Sequence, residues 1–392
     1  MTVLDSVTDI LWNIVFYSTL TSALIWIIIL ALPWRPWGVR ESLDSNMNSG
    51  DSGLSDITVL IPARNEAEHI GTTLDALLLQ GSDLKIIVID DQSSDQTATI
   101  VRSYQTQTDK LSLIDGSALA EGWSGKLWAL QQGLQQVNTA MVLLLDADIT
   151  LHPGMLATLK HKKNSENLQM ISVMARLPMQ NFWEKLLLPA FVYFFKLLYP
   201  FALNNNPRWR KIAAAAGGCI LINKKVLTEI DAFDSIRDAL IDDCSLARKV
   251  KQHGNAVWLG LSHSLDSGRT NHKLSDIWQM VARTAFTQLH YSWSILVLMT
   301  AIMLVVYLLP IAGLFYSTVL VKLIASLCLL IMVICYIPTL RYYQLSPFWA
   351  LLMPLIASLF LAMSWSSALA YASGGGSFWK QRVYNKSMKV AK

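Results

Sequence analysis

Long apolar segments constrain the fold of this chain most strongly, because they can be buried only in a large core or in a lipid bilayer. The first runs from Leu11 to Pro33 without a charged residue. Three later runs, Trp293 to Tyr316, Thr318 to Pro338 and Pro347 to Tyr371, are nearly free of charge as well. Since about 20 apolar residues cross a bilayer as a helix, we expect an integral membrane protein with one N-terminal and about three C-terminal transmembrane helices.

The charges beside the first segment predict its orientation. Asp5 and Asp9 precede it, whereas Arg35 and Arg40 follow it. The positive-inside rule then places the N-terminus outside and the following domain in the cytoplasm, and we expect the membrane to be a bacterial inner membrane. The basic tail, residues 373–392, raises a conflict, because three further crossings would place it outside while its Lys and Arg residues favour the cytoplasm. The side on which this tail lies stays open.

The composition excludes several classes of protein. The chain has 392 residues, of which 53% are hydrophobic and 15% are charged, whereas about a quarter of the residues of a soluble domain are charged. Its net charge of +4 does not indicate a nucleic-acid-binding protein. The four cysteines show no C-x-x-C spacing, so we expect buried free thiols rather than a zinc site or disulfides.

Between the apolar segments, the pattern changes to that of an α/β domain. Residues 41–56 are rich in Ser, Asn, Asp and Gly, which predicts a flexible linker. From residue 57 onward, short apolar strands alternate with helical segments, which predicts a Rossmann-like, mostly parallel sheet covered by helices. We expect the strands at 57–61, 85–90, 111–115 and 141–146, and the helices at 66–80, 94–104 and 126–137. The expected domains are an N-terminal anchor (1–40), the linker (41–56), an α/β domain (57–290), transmembrane helices (291–372) and the basic tail (373–392).

The buried strand at 141–146 ends in an Asp-Ala-Asp sequence. Its apolar run leads directly into Asp146 and Asp148, and open α/β folds bind ligands at this carboxyl edge of the sheet. Two carboxylates one residue apart can both reach a hard divalent cation such as Mg²⁺, which would keep some waters and bind substrate phosphates. The alternative is that the two residues form a solvated loop without a function.

Two other loops leave strand ends in this half of the domain. Residues 62–66 follow the first strand, and residues 90–97 follow the second. Carboxylates there can accept hydrogen bonds from a base or a ribose, but Asp95 could equally cap the next helix. Both can hold, with Asp95 structural and Asp91 facing a ligand. The chain lacks G-x-G-x-x-G after its first strand and lacks G-x-x-x-x-G-K-[ST], which disfavours a dinucleotide cofactor and a P-loop.

Two later segments carry further candidates. Residues 182–203 are aromatic and apolar but contain Glu, Lys and Pro, so we expect an amphipathic helix in the membrane interface or, equally, a buried core helix. Asp242 and Asp243 lie near the start of a predicted helix at 240–250. Acids at that position are stabilised by the helix dipole, but an exposed carboxylate at the edge of a cleft could also act as a catalytic base.

Taken in order, these motifs resemble those of family 2 glycosyltransferases with the GT-A fold. They are V-L-I-P-A-R-N-E (59–66), I-D-D-Q-S-S-D-Q-T (89–97), D-A-D (146–148) and I-D-D-x-x-L (241–246). Within this family, the chain resembles the hopene-associated, membrane-anchored glycosyltransferases of hopanoid gene clusters. That resemblance is carried by GWSGKLWAL (122–130), LLLDADI (143–149), PAFVYFFKLLYPF (189–201), AAAAGGCILI (213–222), ALIDDCSLA (239–247) and MVARTAFTQL (280–289).

The resemblance implies an inverting transfer of a sugar from a nucleotide-sugar donor, expected to be UDP-linked, to a membrane lipid such as a hopanoid. Asp243 would be the catalytic base, although Asp242 stands where many relatives have Glu, which leaves the choice between the two acids open. Asp148, together with Asp146, would hold Mg²⁺ or Mn²⁺ at the diphosphate. The residues implied to lie along the donor are Pro62, Arg64, Glu66, Asp91, Lys126, Asp146 and Arg283.

One motif departs from the pattern of the family. Processive relatives carry Q-x-x-R-W near the membrane, whereas this chain has Gln279 and Arg283 at a different spacing and without the Trp. Transfer of one sugar to a lipid therefore fits better than polymer synthesis. Polyprenyl phosphate and glycerolipids are alternative acceptors. A non-catalytic membrane scaffold with the same fold is a further alternative, whereas the small number of spans and the lack of internal repeats disfavour a transporter.

Overall fold

The computed structural model describes residues 3–46, 53–81, 83–373, 377–379 and 382–384. The chain falls into two compact units. The helical unit comprises Met1–Val39, Met179–Pro200 and Asn271–Gly376, and the sheet unit comprises Arg40–Pro178, Phe201–Thr270 and Ser377–Lys392. Four basic residues of the predicted tail, Lys380, Lys386, Lys389 and Lys392, lie outside the described residues.

The elements are numbered in chain order. The strands are β1 (Ile57–Ala63), β2 (Lys85–Asp90), β3 (Leu111–Asp115), β4 (Met141–Leu145), β5 (Ile149–Leu151), β6 (Met170–Arg176), β7 (Cys219–Asn223), β8 (Val257–Ser267), β9 (Ser377–Trp379) and β10 (Arg382–Tyr384). The helices are α1 (Val3–Ala31), α2 (Ile70–Leu78), α3 (Thr97–Gln105), α4 (Gly125–Leu134), α5 (Met155–Ser165), α6 (Phe182–Leu198), α7 (Phe201–Asn204), α8 (Lys224–Glu229), α9 (Asp242–Gln252), α10 (Leu274–Gln288), α11 (Trp293–Met303), α12 (Leu309–Gly313), α13 (Val319–Tyr342) and α14 (Met353–Ala372). Short 3₁₀ turns occur at Asp234–Ile236 and Pro347–Leu352, and a π-helical turn at Leu304–Leu308 joins α11 to α12.

The sheet unit is built on one eight-stranded sheet, in the order β3-β2-β1-β4-β7-β6-β8-β5. The pairs β3–β2, β2–β1 and β1–β4 are all parallel, as predicted. β7 runs antiparallel to both β4 and β6, and β5 runs antiparallel to β8, while β6 and β8 are parallel. The α/β prediction is therefore confirmed, and the sheet becomes mixed beyond β4 because β7 enters it in the opposite direction.

The packing of β4 explains its unbroken apolar sequence. All five of its residues are buried. Leu143 and Leu145 belong to the apolar cluster on one face of the sheet, and Val142 and Leu144 belong to the cluster on the other face. A strand covered on both faces needs apolar side chains at every position. The acids that follow β4 lie where this covered strand ends, at the carboxyl edge of the sheet.

Residues 41–46, which the sequence assigned to a flexible linker, run beside β8 instead. The amide of Leu43 donates a hydrogen bond to the carbonyl of Leu261 at 2.9 Å. The carboxylate of Asp44 accepts the amide of His263 at 2.6 Å. This part of the segment differs from the expected flexible chain because its polar groups pair with the strand. The residues that follow, to position 52, lie outside the described residues.

Among the residues that the structure describes, four helices of the helical unit are long and apolar enough to cross a membrane, one near the N-terminus and three towards the C-terminus, as predicted. They cover Ile10–Ala31, Trp293–Gly313, Val319–Tyr342 and Pro347–Ala372. Many large aliphatic side chains on these helices are exposed, among them Leu24, Ile28, Leu298 and Leu323. An extended apolar surface of this kind is stable against lipid and unfavourable in water.

A π-helical turn interrupts the second of these helices. Within this turn, the carbonyl of Val306 accepts hydrogen bonds from Nε1 of Trp26 at 3.0 Å and from Oγ of Ser22 at 3.4 Å. The side chain of Trp26 is fully buried. Because a main-chain oxygen in an apolar environment needs a hydrogen-bond donor, this contact ties α1 to the irregular turn.

Helix α6, within the segment for which two interpretations were open, is largely buried inside the helical unit. Glu184 forms a capping box with Asn181 and accepts the amide of Asn271 at 2.7 Å. The ammonium of Lys196 donates to the hydroxyl of Thr339 at 3.0 Å. Two charged residues of this helix, Glu184 and Lys196, are thus buried and hydrogen-bonded, as the core-helix interpretation requires. Its position in a membrane interface stays a prediction.

Candidate active site

The Asp-Ala-Asp turn between β4 and β5 lies at the carboxyl edge of the parallel strands. The amide of Asp146 donates to the carbonyl of Gly218, just before β7, at 3.0 Å. The carbonyl of Asp148 accepts the amide of Gly268, just after β8, at 2.7 Å. Main-chain hydrogen bonds to two other segments therefore fix the position of both acids, as a preorganised site requires.

A lysine joins this turn to the acids at the start of α9. Lys126, in the first turn of α4, places its Nζ 2.7 Å from Oδ1 of Asp146 and 3.4 Å from Oδ2 of Asp242. Burial alone would lower the pKa of Lys126, but the neighbouring carboxylates outweigh burial and raise this pKa. Burial also raises the pKa of Asp146, against the opposing effect of Lys126. Lys126 therefore supplies a fixed positive charge between the two pairs of acids.

Asp243 is a partly exposed carboxylate with a strongly raised pKa. It lies in the first turn of α9, and its Oδ1 accepts the amide of Cys244 at 2.7 Å. Burial and the negative charge of Asp242 raise the pKa of Asp243 to about 7, although Lys126 acts to lower it. A carboxylate with a pKa near neutrality can accept a proton efficiently at physiological pH. The neighbouring acid, Asp242, has a different contact, because its carboxylate forms the ion pair with Lys126.

A glycine brings the main chain close to these charged groups. A β-carbon at Gly217 would lie 3.2 Å from Oδ2 of Asp243 and 3.4 Å from Nζ of Lys126. The adjacent residue Ala216 is held by Ser172, whose Oγ accepts the Ala216 amide at 2.8 Å and donates to its carbonyl at 3.0 Å. The main chain at Gly217 thus stands next to the acid with the raised pKa, an approach that the missing side chain of glycine allows.

The structure adds an arginine that the sequence analysis did not identify. Arg269, just beyond β8, places Nε 3.4 Å from Oδ2 of Asp148 and Nη2 3.2 Å from Oε1 of Glu66. It therefore bridges the Asp-Ala-Asp turn and the loop after β1. The signal that could have found it is the short apolar run at residues 256–261, which predicts a buried strand whose end would reach the same edge of the sheet.

The loops after β1 and β2 are locked together by hydrogen bonds. Arg64 donates through Nη1 to the main-chain carbonyls of Asp91 and Gln92, the latter at 3.1 Å. Asp95 accepts the amides of Ala67 and Thr97, at 3.1 and 3.0 Å, so its structural role is as expected. Arg64 thereby shapes the loop that carries the buried Asp91, and direct contact of either residue with a nucleotide stays a prediction.

The structure brings most of the predicted site residues together in the sheet unit. One group consists of Lys126, Asp146, Asp242 and Asp243, and a second consists of Glu66, Asp148 and Arg269. The Asp-Ala-Asp turn belongs to both groups. Pro62 lies in β1, near its end. Arg283 is exposed on α10 of the helical unit, and its contact with a donor stays a prediction.

The Asp-Ala-Asp turn offers two carboxylates that could bind a metal ion. Among the described residues, no group of three or more His, Cys, Asp and Glu side chains could hold a metal ion. Two carboxylates nevertheless suit Mg²⁺, because this ion usually takes one or two protein carboxylates and completes its shell with phosphate oxygens and water. Asp146 and Asp148 therefore fit an ion that is bound jointly with a phosphorylated ligand.

Comparison with protein families finds a match for the first part of the domain that holds this site. The family model described as Glycosyl transferase family 2 matches residues 58–231. The chain is 38% identical over 95 residues to 4,4'-diaponeurosporenoate glycosyltransferase of Staphylococcus aureus strain USA300, in a match that covers 24% of each chain. The chain thus spans about a quarter of the length of the curated relatives that it matches. Residues 58–231 are therefore similar to family 2 glycosyltransferases, in agreement with the motifs.

Comparison with solved structures identifies the fold. The chain resembles the mannosyltransferase PcManGT from Pyrobaculum calidifontis, which was solved in complex with GDP-Man and Mn²⁺. The TM-score is 0.52, the sequence identity is 17%, and the superposition covers 94% of this chain and 99% of the other. At this identity the similarity concerns the fold alone. The mixed sheet is of the GT-A type, which confirms the predicted fold class.

Proposed function

We propose that this chain is an inverting glycosyltransferase that moves a sugar from a nucleotide-sugar donor to a lipid of the membrane in which its apolar helices lie. The observation that carries the proposal is the position of Asp243, a carboxylate with a pKa of about 7, beside a lysine that is ion-paired to the Asp-Ala-Asp turn. A proton acceptor and a site for a phosphorylated ligand are thereby joined in one cluster. The catalytic domain would face the cytoplasm, by the charge distribution around α1.

The proposed chemistry needs one base and one positively charged site. In a single displacement, the acceptor hydroxyl attacks the anomeric carbon while the nucleoside diphosphate leaves from the opposite face. Asp243 would take the proton of that hydroxyl, and Asp242 would keep Lys126 in place. The ammonium of Lys126 and the guanidinium of Arg269 would stabilise the negative charge that develops on the leaving diphosphate. A second carboxylate acting as a nucleophile is not required.

A divalent cation fits this arrangement. Asp148 and Asp146 would hold Mg²⁺ or Mn²⁺ together with the diphosphate oxygens of the donor, and the ion would supply positive charge to the leaving group. The mannosyltransferase with the similar fold was solved with Mn²⁺ and a nucleotide sugar, which supports this assignment. The donor residues proposed here are Pro62, Arg64, Glu66, Asp91, Lys126, Asp146 and Arg283, with a UDP-linked sugar as the donor.

A lipid acceptor is supported by two observations. The chain carries four helices that are long and apolar enough to cross a membrane, so its substrate can be reached from the bilayer. The relative from Staphylococcus aureus is a 4,4'-diaponeurosporenoate glycosyltransferase. A hopanoid is the acceptor that the sequence motifs favour, and polyprenyl phosphate and glycerolipids are the alternatives that the test must separate.

The test is a donor and acceptor screen on the full chain purified in detergent. Release of nucleoside diphosphate from UDP- and GDP-sugars is measured with Mn²⁺ or with a chelator, and with or without a total lipid extract. Products are identified by mass spectrometry of the lipids. Asp243→Asn is compared with Asp109→Asn, a matched substitution of an exposed carboxylate.

The proposal expects release that requires both lipid and metal, persists in Asp109→Asn and disappears in Asp243→Asn. If Asp243→Asn releases nucleoside diphosphate as fast as the unchanged chain, Asp243 is not the catalytic base. If no donor binds and none is turned over, the chain is a non-catalytic membrane scaffold rather than an enzyme.

A further inference from the structure

A basic and aromatic loop stands out on the surface of the sheet unit. Residues 207–211 have the sequence Pro-Arg-Trp-Arg-Lys, and all five are exposed. The indole of Trp209 is 49% exposed, which is unusual for so large a side chain. We call these five residues the PRWRK loop. Neither the proposed base nor the Asp-Ala-Asp turn explains this combination of cations and an exposed tryptophan.

A buried lysine, Lys251, holds the main chain of the PRWRK loop and of its flanking residues in a fixed conformation. Nζ of Lys251 donates to main-chain carbonyls of four residues at distances of 2.5 to 3.3 Å, namely Leu203, Asn204, Trp209 and Ile212. Lys251 is 1% exposed. One ammonium therefore fastens the main chain before the loop, at its central residue and directly after it, and the exposed side chains project from a preorganised main chain.

Two asparagines fix the same segment from the side. The amide of Ala214 donates to the side-chain oxygen of the buried Asn204 at 2.8 Å. The side chain of Asn205 pairs with the main chain of Leu259 in β8, at 2.7 and 2.9 Å. These bonds connect the loop to the sheet, so the PRWRK loop is a rigid projection of the sheet unit.

The three cations of the loop are available to an external anion. Within the part of the chain that the structure describes, no ion pair is formed by Arg208, Arg210 or Lys211. Adjacent cations without partners repel one another, and phosphate groups relieve that repulsion. An exposed tryptophan next to such cations has the amphipathic character of residues at the headgroup level of a bilayer.

We propose that the PRWRK loop binds the anionic headgroups of the bilayer in which the apolar helices lie, so that the sheet unit is attached to the membrane surface at a second place. Headgroups are favoured over a soluble anion because Trp209 offers an apolar ring that a free phosphate would not cover. Only a short stretch of chain separates the loop from Pro200, which is the last residue of a segment of the helical unit. This contact is independent of the proposed glycosyl transfer.

The test measures the water accessibility of the loop in lipid nanodiscs. The four native cysteines are buried, so a thiol-reactive spin label can be directed to Pro207→Cys, which leaves the cations and Trp209 intact. Collision of the label with a water-soluble nickel chelate is compared in nanodiscs of phosphatidylcholine alone and in nanodiscs with added phosphatidylglycerol. Asp109→Cys, at an exposed site elsewhere on the sheet unit, is the control label.

The proposal expects several-fold protection of the loop label in the phosphatidylglycerol nanodiscs, weaker protection at high salt, and none at the control position. Replacing Arg208, Arg210 and Lys211 by Gln should abolish the protection without a change in Tm, because all three side chains are exposed. Equal accessibility in both nanodiscs, or protection that survives the triple substitution, would overturn the proposal. Protection by inorganic phosphate in phosphatidylcholine nanodiscs would assign the loop to a soluble anion instead.

Discussion

The guanidinium of Arg269 lies 3.4 Å from Asp148, the second carboxylate of the Asp-Ala-Asp turn, and 3.2 Å from Glu66. The two carboxylates are 11% and 9% exposed, while the arginine is 47% exposed. A half-exposed cation thus covers two nearly buried anions from the solvent side. When a diphosphate enters the site, this arginine can pair with it without losing contact with the carboxylates, since its five donors allow several partners.

We expect Arg269→Gln to weaken binding of the nucleotide-sugar donor. A hydrogen bond between charged groups contributes about 1.5–3 kcal/mol, so kcat/KM for the donor should fall by roughly tenfold to a hundredfold. The control is Arg237→Gln, which removes an exposed ion pair with Asp234. Donor titration by calorimetry and steady-state rates provide the measurement, and a donor affinity equal to that of the unchanged chain would contradict the role given to Arg269.

The pKa of Asp243 predicts the pH dependence of the reaction. Burial and Asp242 raise this pKa to about 7, and only the ionised form can take a proton. The rate should therefore rise with pH below about 7 and level off above it, and Asp243→Asn should lower kcat by about a hundredfold to ten-thousandfold. A rate that is flat from pH 5 to pH 8 would argue that another group is the base.

The same raised pKa extends this second prediction from the rate to the stability of the fold. An acid whose pKa is higher in the folded state than in the unfolded state binds its proton more tightly when folded, so stability falls as the pH rises from about 4 to about 7. We expect Asp243→Asn to raise Tm at pH 8, where the lost carboxylate would be charged beside Asp242, and to leave Tm nearly unchanged at pH 4. A lower Tm in the variant at pH 8 would show that the carboxylate stabilises the fold.

Lys126 couples the two halves of the site, which gives a third prediction. Because its ammonium lowers the pKa of Asp243, Lys126→Met should move the acidic limb of the pH profile to higher pH, in addition to weakening the donor. The shift is the informative measurement, since a residue that only binds the donor would change KM and leave the pH profile in place. Lys110→Met, at an exposed lysine paired with Asp109, is the control.

The sequence predicted the first half of the sheet well because the signals there are local. β2 and β3 have the predicted bounds, and β1 and β4 begin at the predicted residues. β5, β6 and β8 were not identified, although they belong to the same sheet. The pairing of β6 with β8 joins Met170 to Val257, a contact between residues far apart in the chain, and such a register follows from the tertiary structure rather than from a local pattern.

The same contrast between local signals and tertiary contacts explains why the acids of the site were predicted and one of its cations was not. Asp146, Asp148 and Asp243 belong to short motifs at element ends, which the sequence displays directly. Arg269 belongs to no such motif, and its partner Glu66 lies in a different part of the chain. Its role depends on the position of the residues after β8, which is known only once β8 is placed in the sheet.

The buried Lys251 supports a fourth prediction, on stability. Its ammonium serves four main-chain carbonyls, and Lys251→Met would leave them without this donor in a buried place. Each unsatisfied buried polar group lowers the free energy of unfolding by about 1–3 kcal/mol. Partial relaxation of the main chain should limit the total loss in this free energy to roughly 3–5 kcal/mol. Thermal unfolding should therefore begin at a clearly lower temperature than in Lys225→Met, where the lysine side chain is 83% exposed. Equal stability of the two variants would mean that other groups hold the loop.

The hydrogen bond between Trp26 and the carbonyl of Val306 allows a fifth prediction, for the helical unit. Trp26→Phe keeps an aromatic ring next to Tyr307 but removes the Nε1 donor, and only the longer bond from Ser22 is then left to that carbonyl. Polar contacts between helices in a membrane contribute about 0.6–2 kcal/mol, so the variant should unfold earlier in a detergent titration by a corresponding amount. Trp12→Phe is the matched control, because Trp12 is 41% exposed and packs edge-on against Tyr316. If Trp26→Phe is no less stable than Trp12→Phe, the π-helical turn must be held by helix packing alone, and the carbonyl of Val306 must find its partner within its own helix.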